Sequence, residues 1–342
     1  MVKLIALVAT LAVGGGGVGT ASAGPAPEQK IRMLQVSHGL SFAPSYIARG
    51  KGYFQEEGIA LDFKIVGGER VAQPALMANE AEAIVTSSNG FVTMASKELQ
   101  VLAVQGTVNS LTTNLTMSPR FLKERKVSRQ SPLAERLAAL RGARLSGGTV
   151  GSALHRYIIW IVKQGGLDPE RDVTLTFIAG GPPQMAALKA GHVDGFLLSP
   201  PSGEQAEADG YGQVFIHAVE IPEFKTFVHE VVAVRREYAR EQASTVDRIV
   251  RAMSRGNNFL IERPEEAKQV LQPFFPHISP RIMSVSVDAI KETIARDGRM
   301  TEAEWRNVVR ILMESGAIPR PVETREGVWW TNAHIKGIPP VR

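Results

Sequence analysis

Two stretches of this 342-residue chain repeat each other, which restricts it to folds built from two similar units. The first runs Phe63-Lys64-Ile65-Val66-Gly67-Gly68, then Ala75-Leu76-Met77-Ala78-Asn79-Glu80-Ala81-Glu82, then Ile84-Val85-Thr86-Ser87. The second runs Leu175-Thr176-Phe177-Ile178-Ala179-Gly180-Gly181, then Ala187-Leu188-Lys189-Ala190-Gly191-His192-Val193-Asp194, then Phe196-Leu197-Leu198-Ser199. One constant interval separates Leu76 from Leu188, Glu82 from Asp194, and Ser87 from Ser199. Each copy reads as an apolar strand, a glycine pair, a short helix of small and apolar residues, and a second apolar strand ending in serine. Strands alternating with helices at this spacing predict parallel βαβ units.

The likeness extends upstream. Met33-Leu34-Gln35-Val36 leads through Ser37-His38-Gly39 into a helix carrying Ala43, Tyr46, Ile47 and Phe54. Its counterpart is Ala143-Arg144-Leu145-Ser146, residues 147–151, and a helix carrying Leu154, Tyr157, Ile158 and Ile161. The expected fold class is therefore α/β with two lobes, each a mostly parallel sheet flanked by helices. Val101 to Val104 reads as a further strand. Residues 112–117 and 227–234 flank the second copy and are the expected crossings between lobes. That assigns 24–112 and 228–342 to lobe 1 and 113–227 to lobe 2. The remainder is helical: Thr245 is expected to cap one helix, Pro264 to start the next, and Thr301 with Glu304 to form a capping box on a helix stopped by Gly316.

The segment 1–23 has another purpose. Lys3, an apolar run from Leu4 to Val13, and Ala21-Ser22-Ala23 read as a cleaved secretory signal peptide, because the run is far short of the roughly 20 residues that span a bilayer. Gly14, Gly16 and Gly19 match a dinucleotide-binding glycine spacing, but no strand precedes them. Export is expected, with a periplasmic location. The chain has no cysteine, which removes disulfides, thiolate chemistry and cysteine metal sites. Its net charge of +5 is spread among interleaved acids and bases, so no nucleic-acid surface is expected.

In open α/β sheets ligands bind beyond the carboxyl ends of the strands. Lobe 1 offers there Ser37, His38, Leu40 and Phe42 in one loop and Ser87, Ser88 and Asn89 in another, with Thr107 nearby. Lobe 2 offers Gly148, Thr149, Val150, Gly151 and Ser152, then Gly181, then Ser199. Most of these loops lead into helices, whose free N–H groups suit an anionic or strongly polar head group. Glu230, on the return crossing, reads either as a buried acid facing the cleft or as an edge position in water. Enzyme signatures such as H-E-x-x-H, G-x-S-x-G and a phosphate-binding loop are missing, so no catalytic residue, metal or cofactor is expected.

Ala43-Pro44, Gly52-Tyr53-Phe54, Gly67-Gly68, Leu140-Arg141-Gly142, Gly165-Gly166-Leu167-Asp168-Pro169 and Ala186-Ala187-Leu188-Lys189-Ala190-Gly191, with Leu198-Ser199-Pro200-Pro201, resemble the nitrate, sulfonate, taurine and bicarbonate solute-binding proteins of ABC importers. The resemblance implies a type II periplasmic-binding fold and a monomeric receptor. Its solute would be small and anionic, sulfonate-like or heteroaromatic and pyrimidine-like. Its partners would be permease subunits in the inner membrane with a cytoplasmic ATPase. Pyrimidine synthases of thiamin biosynthesis share this fold as enzymes, with a cysteine-rich motif and a lysine for pyridoxal phosphate in the first-loop region; here that loop reads Ser37-His38-Gly39. An exported enzyme of that branch, or a ligand-sensing module for a membrane partner, are the alternatives.

Overall fold

The computed structural model describes residues 28–339, so the expected signal peptide lies outside the described residues. Within them, ten strands form two five-stranded sheets. In chain order they are β1 (Gln29–Gln35), β2 (Ile59–Ile65), β3 (Ala83–Ser87), β4 (Val101–Val108), β5 (Asn114–Met117), β6 (Arg144–Ser146), β7 (Thr174–Thr176), β8 (Gly195–Leu198), β9 (Gln213–His217) and β10 (Glu230–Arg235). The first sheet has the order β2-β1-β3-β10-β4 and the second β7-β6-β8-β5-β9. The first three strands of each order pair in parallel, while β10 and β5 run antiparallel to both of their neighbours.

The repeat is visible in the registers. Met33 pairs with Ala83 and Leu145 with Gly195, so residues that match in the sequence repeat also match in their pairing. At the same place in each sheet an arginine grips an acid: Arg32 Nη2 donates to Glu82 Oε1 at 2.5 Å, and Arg144 Nη2 to Asp194 Oδ1 at 2.7 Å. The backbone N–H of each arginine donates to the same carboxylate. Each pair fixes the start of one parallel strand against the end of the helical connection before the next.

Residues 112–117 leave the first sheet and end as β5 in the second; residues 227–234 end as β10 in the first. Each crossing thus enters the opposite sheet as its antiparallel strand. This has a consequence for the site, because an antiparallel strand brings its first residue to the carboxyl ends of its parallel neighbours. Glu230 accordingly pairs with Ser87 at the end of β3.

The helices after β10 fold back on the first sheet. The helix Ala243–Glu262 packs against the helix Ala43–Gly50, and Gly256 permits that approach: a Cβ there would meet the Pro44 carbonyl oxygen at 2.3 Å. Thr245 does not cap this helix, which starts at Ala243; its hydroxyl donates to Gln29 Oε1. Pro264 opens the helix Pro264–Leu271, and Thr301 and Glu304 form their capping box on Glu302–Glu314, with Gly316 at φ 72° just beyond. Trp329 and Trp330 pack beside Ala103 of β4. Among the described residues no helix is long and apolar enough to cross a membrane.

Candidate functional site

The carboxyl ends of β1, β3, β6 and β8 and the two crossings converge between the sheets. Leu40 N–H donates to the Pro200 carbonyl at 3.4 Å, the Thr112 and Ser199 hydroxyls lie 3.3 Å apart, and Arg70 Nη2 donates to the Val150 carbonyl at 3.4 Å. Loops of both lobes therefore touch across a cleft.

At its floor lies a group of buried polar atoms that the fold itself does not satisfy. Ser88 Oγ, Asn89 Oδ1, Thr113 Oγ1, Tyr157 Oη and Glu230 Oε2 are all buried without a hydrogen-bond partner. They come from lobe 1, lobe 2 and both crossings. A buried polar group without a partner costs about 1–3 kcal/mol, so protein interiors leave few of them. Ser88, Tyr157 and Glu230 gather around His229, which marks this floor as a place where a bound molecule would complete the hydrogen bonding.

Ser87 caps the helix Ser88–Ser96 by accepting from Gly90 N–H at 3.0 Å and donates to Glu69 Oε1 at 2.8 Å. Ser88 N–H donates to the His229 carbonyl at 2.8 Å, tying the helix start to the return crossing. His229 is buried; Thr112 N–H donates to its Nδ1 at 3.4 Å, and its Nε2 lies 3.5 Å from Glu230 Oε1. Burial lowers the imidazole to about 3, so it is neutral, and with Nδ1 accepting, its proton sits on Nε2. Burial also lifts Glu230 well above the usual carboxylate range, helped by the nearby Glu69 and opposed by the Ser41 hydroxyl. Tyr157 is raised by burial and then by Glu230, opposed by the facing Ser88 hydroxyl, and raised further by Glu69.

The residues expected from the sequence to line the cleft divide by what they touch. Ser87, Ser88, Asn89, Ser199 and Glu230 come together at the floor or its edge, and Leu40 lies where the lobes touch. Gly148, Thr149, Val150, Gly151 and Ser152 form the opposite lip, where several of their polar groups bond one another, His155 or Arg70. Gly151 N–H donates to His155 Nδ1 at 3.0 Å, Ser152 N–H to the Thr149 carbonyl, and Ser152 Oγ caps the helix Ala153–Gln164. Gly181 opens the helix Gly181–Lys189 beside Leu198 and Ser202. The others are turned to structural contacts. His38 Nε2 bonds the Phe274 carbonyl at 3.1 Å and its ring packs on Phe275; Thr107 Oγ1 donates to the Glu230 carbonyl; Phe42 is buried, and the Ser37 carbonyl accepts from Gln35.

Ser41, Glu69, Thr112, Thr113, Tyr157 and His229 were not singled out from the sequence. Glu69 follows Gly67-Gly68 and looks like an ordinary acid at a helix start; Tyr157 lies on an apolar helix face and looks like core. An open groove of about 640 Å³ runs along the outer edge of β2, lined by Arg49, Phe63 and Phe274 among others. None of the unpartnered buried atoms belongs to it, so it is not the site.

The family model described as NMT1/THI5 like matches residues 40–267. The chain is 19% identical to the putative binding protein YtlA of Bacillus subtilis, over 86% of this chain and 85% of that one. It is 24% identical to the riboflavin-binding protein RibY of Chloroflexus aurantiacus, over 92% and 90%. The structure of the periplasmic aliphatic sulphonate binding protein SsuA from Escherichia coli superposes with a TM-score of 0.69 at 13% identity, covering 88% of this chain and 97% of that one. That likeness shows the two-lobed periplasmic-binding fold. With its family match running through both sheets and both crossings, the chain belongs to the NMT1/THI5-like family.

Proposed function

We propose that the protein is a periplasmic, monomeric solute-binding receptor of an ABC importer, one that captures a small molecule between its lobes and presents it to permease subunits served by a cytoplasmic ATPase. Lobe 1 comprises 24–112 and 228–342 and lobe 2 comprises 113–227, and they close about the two crossings. The observation that carries this reading is the gathering of Ser88 from lobe 1, Tyr157 from lobe 2 and Glu230 from the return crossing around the buried His229, each with a buried atom that lacks a hydrogen-bond partner. A receptor needs hydrogen-bonding groups that only a solute completes, on two bodies that can part to admit it. The binding proteins named above support the same class.

The solute is small and polar: anionic and sulfonate-like, or heteroaromatic and pyrimidine-like. A thermal-shift panel of nitrate, sulfonates, taurine, pyrimidines, flavins and aromatic acids tests the reading. Binding to the native state alone stabilises by about 2.7 kcal/mol at a hundredfold excess over Kd. The solute should be recovered unchanged; conversion of it on incubation would replace the receptor with an enzyme.

A further inference from the structure

We infer that the cleft takes a nitrogenous base bound as its cation, its N–H groups on Glu230, in preference to small anions. This rests on the receptor reading and narrows its solute. Glu230 is 4% exposed, begins β10, and has one oxygen near His229 Nε2 and the other, Oε2, without a partner. His229 cannot serve as the counter-cation, because its Nδ1 accepts from Thr112 N–H.

The groups bearing on Glu230 are His229 on its own crossing, Glu69 at the start of the helix Glu69–Met77, Tyr157 on the helix from lobe 2, and Ser41 in the first loop. With Glu230 itself that makes two acids, two neutral hydroxyls and one neutral imidazole. None of these is a cation. The second unpartnered acceptor on this floor, Asn89 Oδ1, likewise calls for a donor.

Some of the groups that could hold an anion are engaged within the protein, and the Arg70 guanidinium reaches across the cleft mouth to the Val150 carbonyl. Of the amides at the two helix starts, those of Ser88 and Gly90 in lobe 1, and of Gly151, Ser152 and His155 in lobe 2, donate within the protein. An anion would instead lie near the Glu69 carboxylate, whose charge opposes it. A cation reverses this. It meets an acid whose orphaned Oε2 lacks a donor; where Glu230 carries a proton it releases it to solvent, and the cation's N–H groups complete the carboxylate's hydrogen bonding.

Benzamidine and 4-aminopyridine, both cations at neutral pH, are titrated by calorimetry against the full-length mature protein, with methanesulfonate and nitrate as the opposing probes. The expected result is tighter binding of the cations than of the anions, with cation affinity rising as pH rises by at most about tenfold per unit, the limiting slope of a one-proton linkage. Glu230→Gln should lower cation affinity at least about tenfold and abolish that slope, while circular dichroism and scattering stay as in the wild type. Should Glu230→Gln fail to fold, Glu69→Gln at the partly exposed helix start replaces it, with an expected loss of about threefold. Binding of methanesulfonate or nitrate with no response to the cations overturns the inference and leaves the receptor standing. If all four probes fail while the wider panel yields a neutral or anionic solute, the inference falls alone; if that panel also yields nothing, the receptor reading falls with it.

Discussion

Arg144 holds Asp194 with its backbone N–H and two guanidinium nitrogens, at 2.7 to 3.0 Å, as Arg32 holds Glu82 at the matching point of the other sheet. Burial by itself would raise Asp194, but the hydrogen bonds and charge of Arg144, with Arg120, over-ride it and hold the carboxyl below its ordinary range. The stability it contributes is therefore present above about pH 4 and is lost as pH falls through the lowered value. Asp194→Asn should cost roughly 1–3 kcal/mol at pH 7 by urea unfolding, with the gap to wild type narrowing below pH 4. A gap independent of pH would mean that packing, not charge, is what Asp194 supplies.

His229 should give the protein a second acid sensitivity. Its pKa falls to about 3 through burial, so the neutral ring's contribution is complete above about 6.5 and is lost as pH drops toward 3. Between pH 7.5 and pH 5 this removes about 2 kcal/mol. Glu230 works against it: its raised value gives stability that is present below about pH 4.5 and fades as pH rises. Comparing wild type with His229→Asn, which keeps an acceptor for Thr112, isolates the histidine. The variant should lose about 2 kcal/mol less over that interval, and equal losses would place a proton on the wild-type ring even in the fold.

Gly151 has φ +81° and open space where a Cβ would stand. Gly151→Asp should therefore remain folded at a cost of about 1–2 kcal/mol for the left-handed backbone. The new carboxylate at the lip should weaken any anion by repulsion and leave a cationic solute bound at least as well. Equilibrium titration of the folded variant with nitrate and with benzamidine separates the two.

Closure should be visible in solution. The contacts Leu40 to Pro200 and Thr112 to Ser199 join the lobes, so a saturating solute should reduce the radius of gyration in small-angle scattering. An unchanged profile would describe a rigid pocket and count against a transport role. On the flank, Trp160 Nε1 donates to Glu314 Oε2 at 2.7 Å, linking the second lobe's helix to the last one. Trp160→Phe should lower stability by about 1 kcal/mol.

The repeat determined the architecture from sequence alone. Apolar strands recurring at one constant interval leave few ways to bury both copies except as two like sheets, and the strands, their order along the chain and most helix caps follow from local periodicity and capping chemistry. Ser87, Ser88 and Asn89 were legible because a hydroxyl run ending a strand and starting a helix has a local signature. The acidity of the floor was not. Glu230 alone stood out, as an acid among apolar strand residues; Glu69, Tyr157 and His229 come from distant parts of the chain, and each alone fits an ordinary surface or core position. They meet because both crossings enter the opposite sheet antiparallel, a pairing choice governed by which strand edges are free once the lobes have formed. Burial there, a property of no single segment, is what neutralises His229 and lifts Glu230 above the usual carboxylate range.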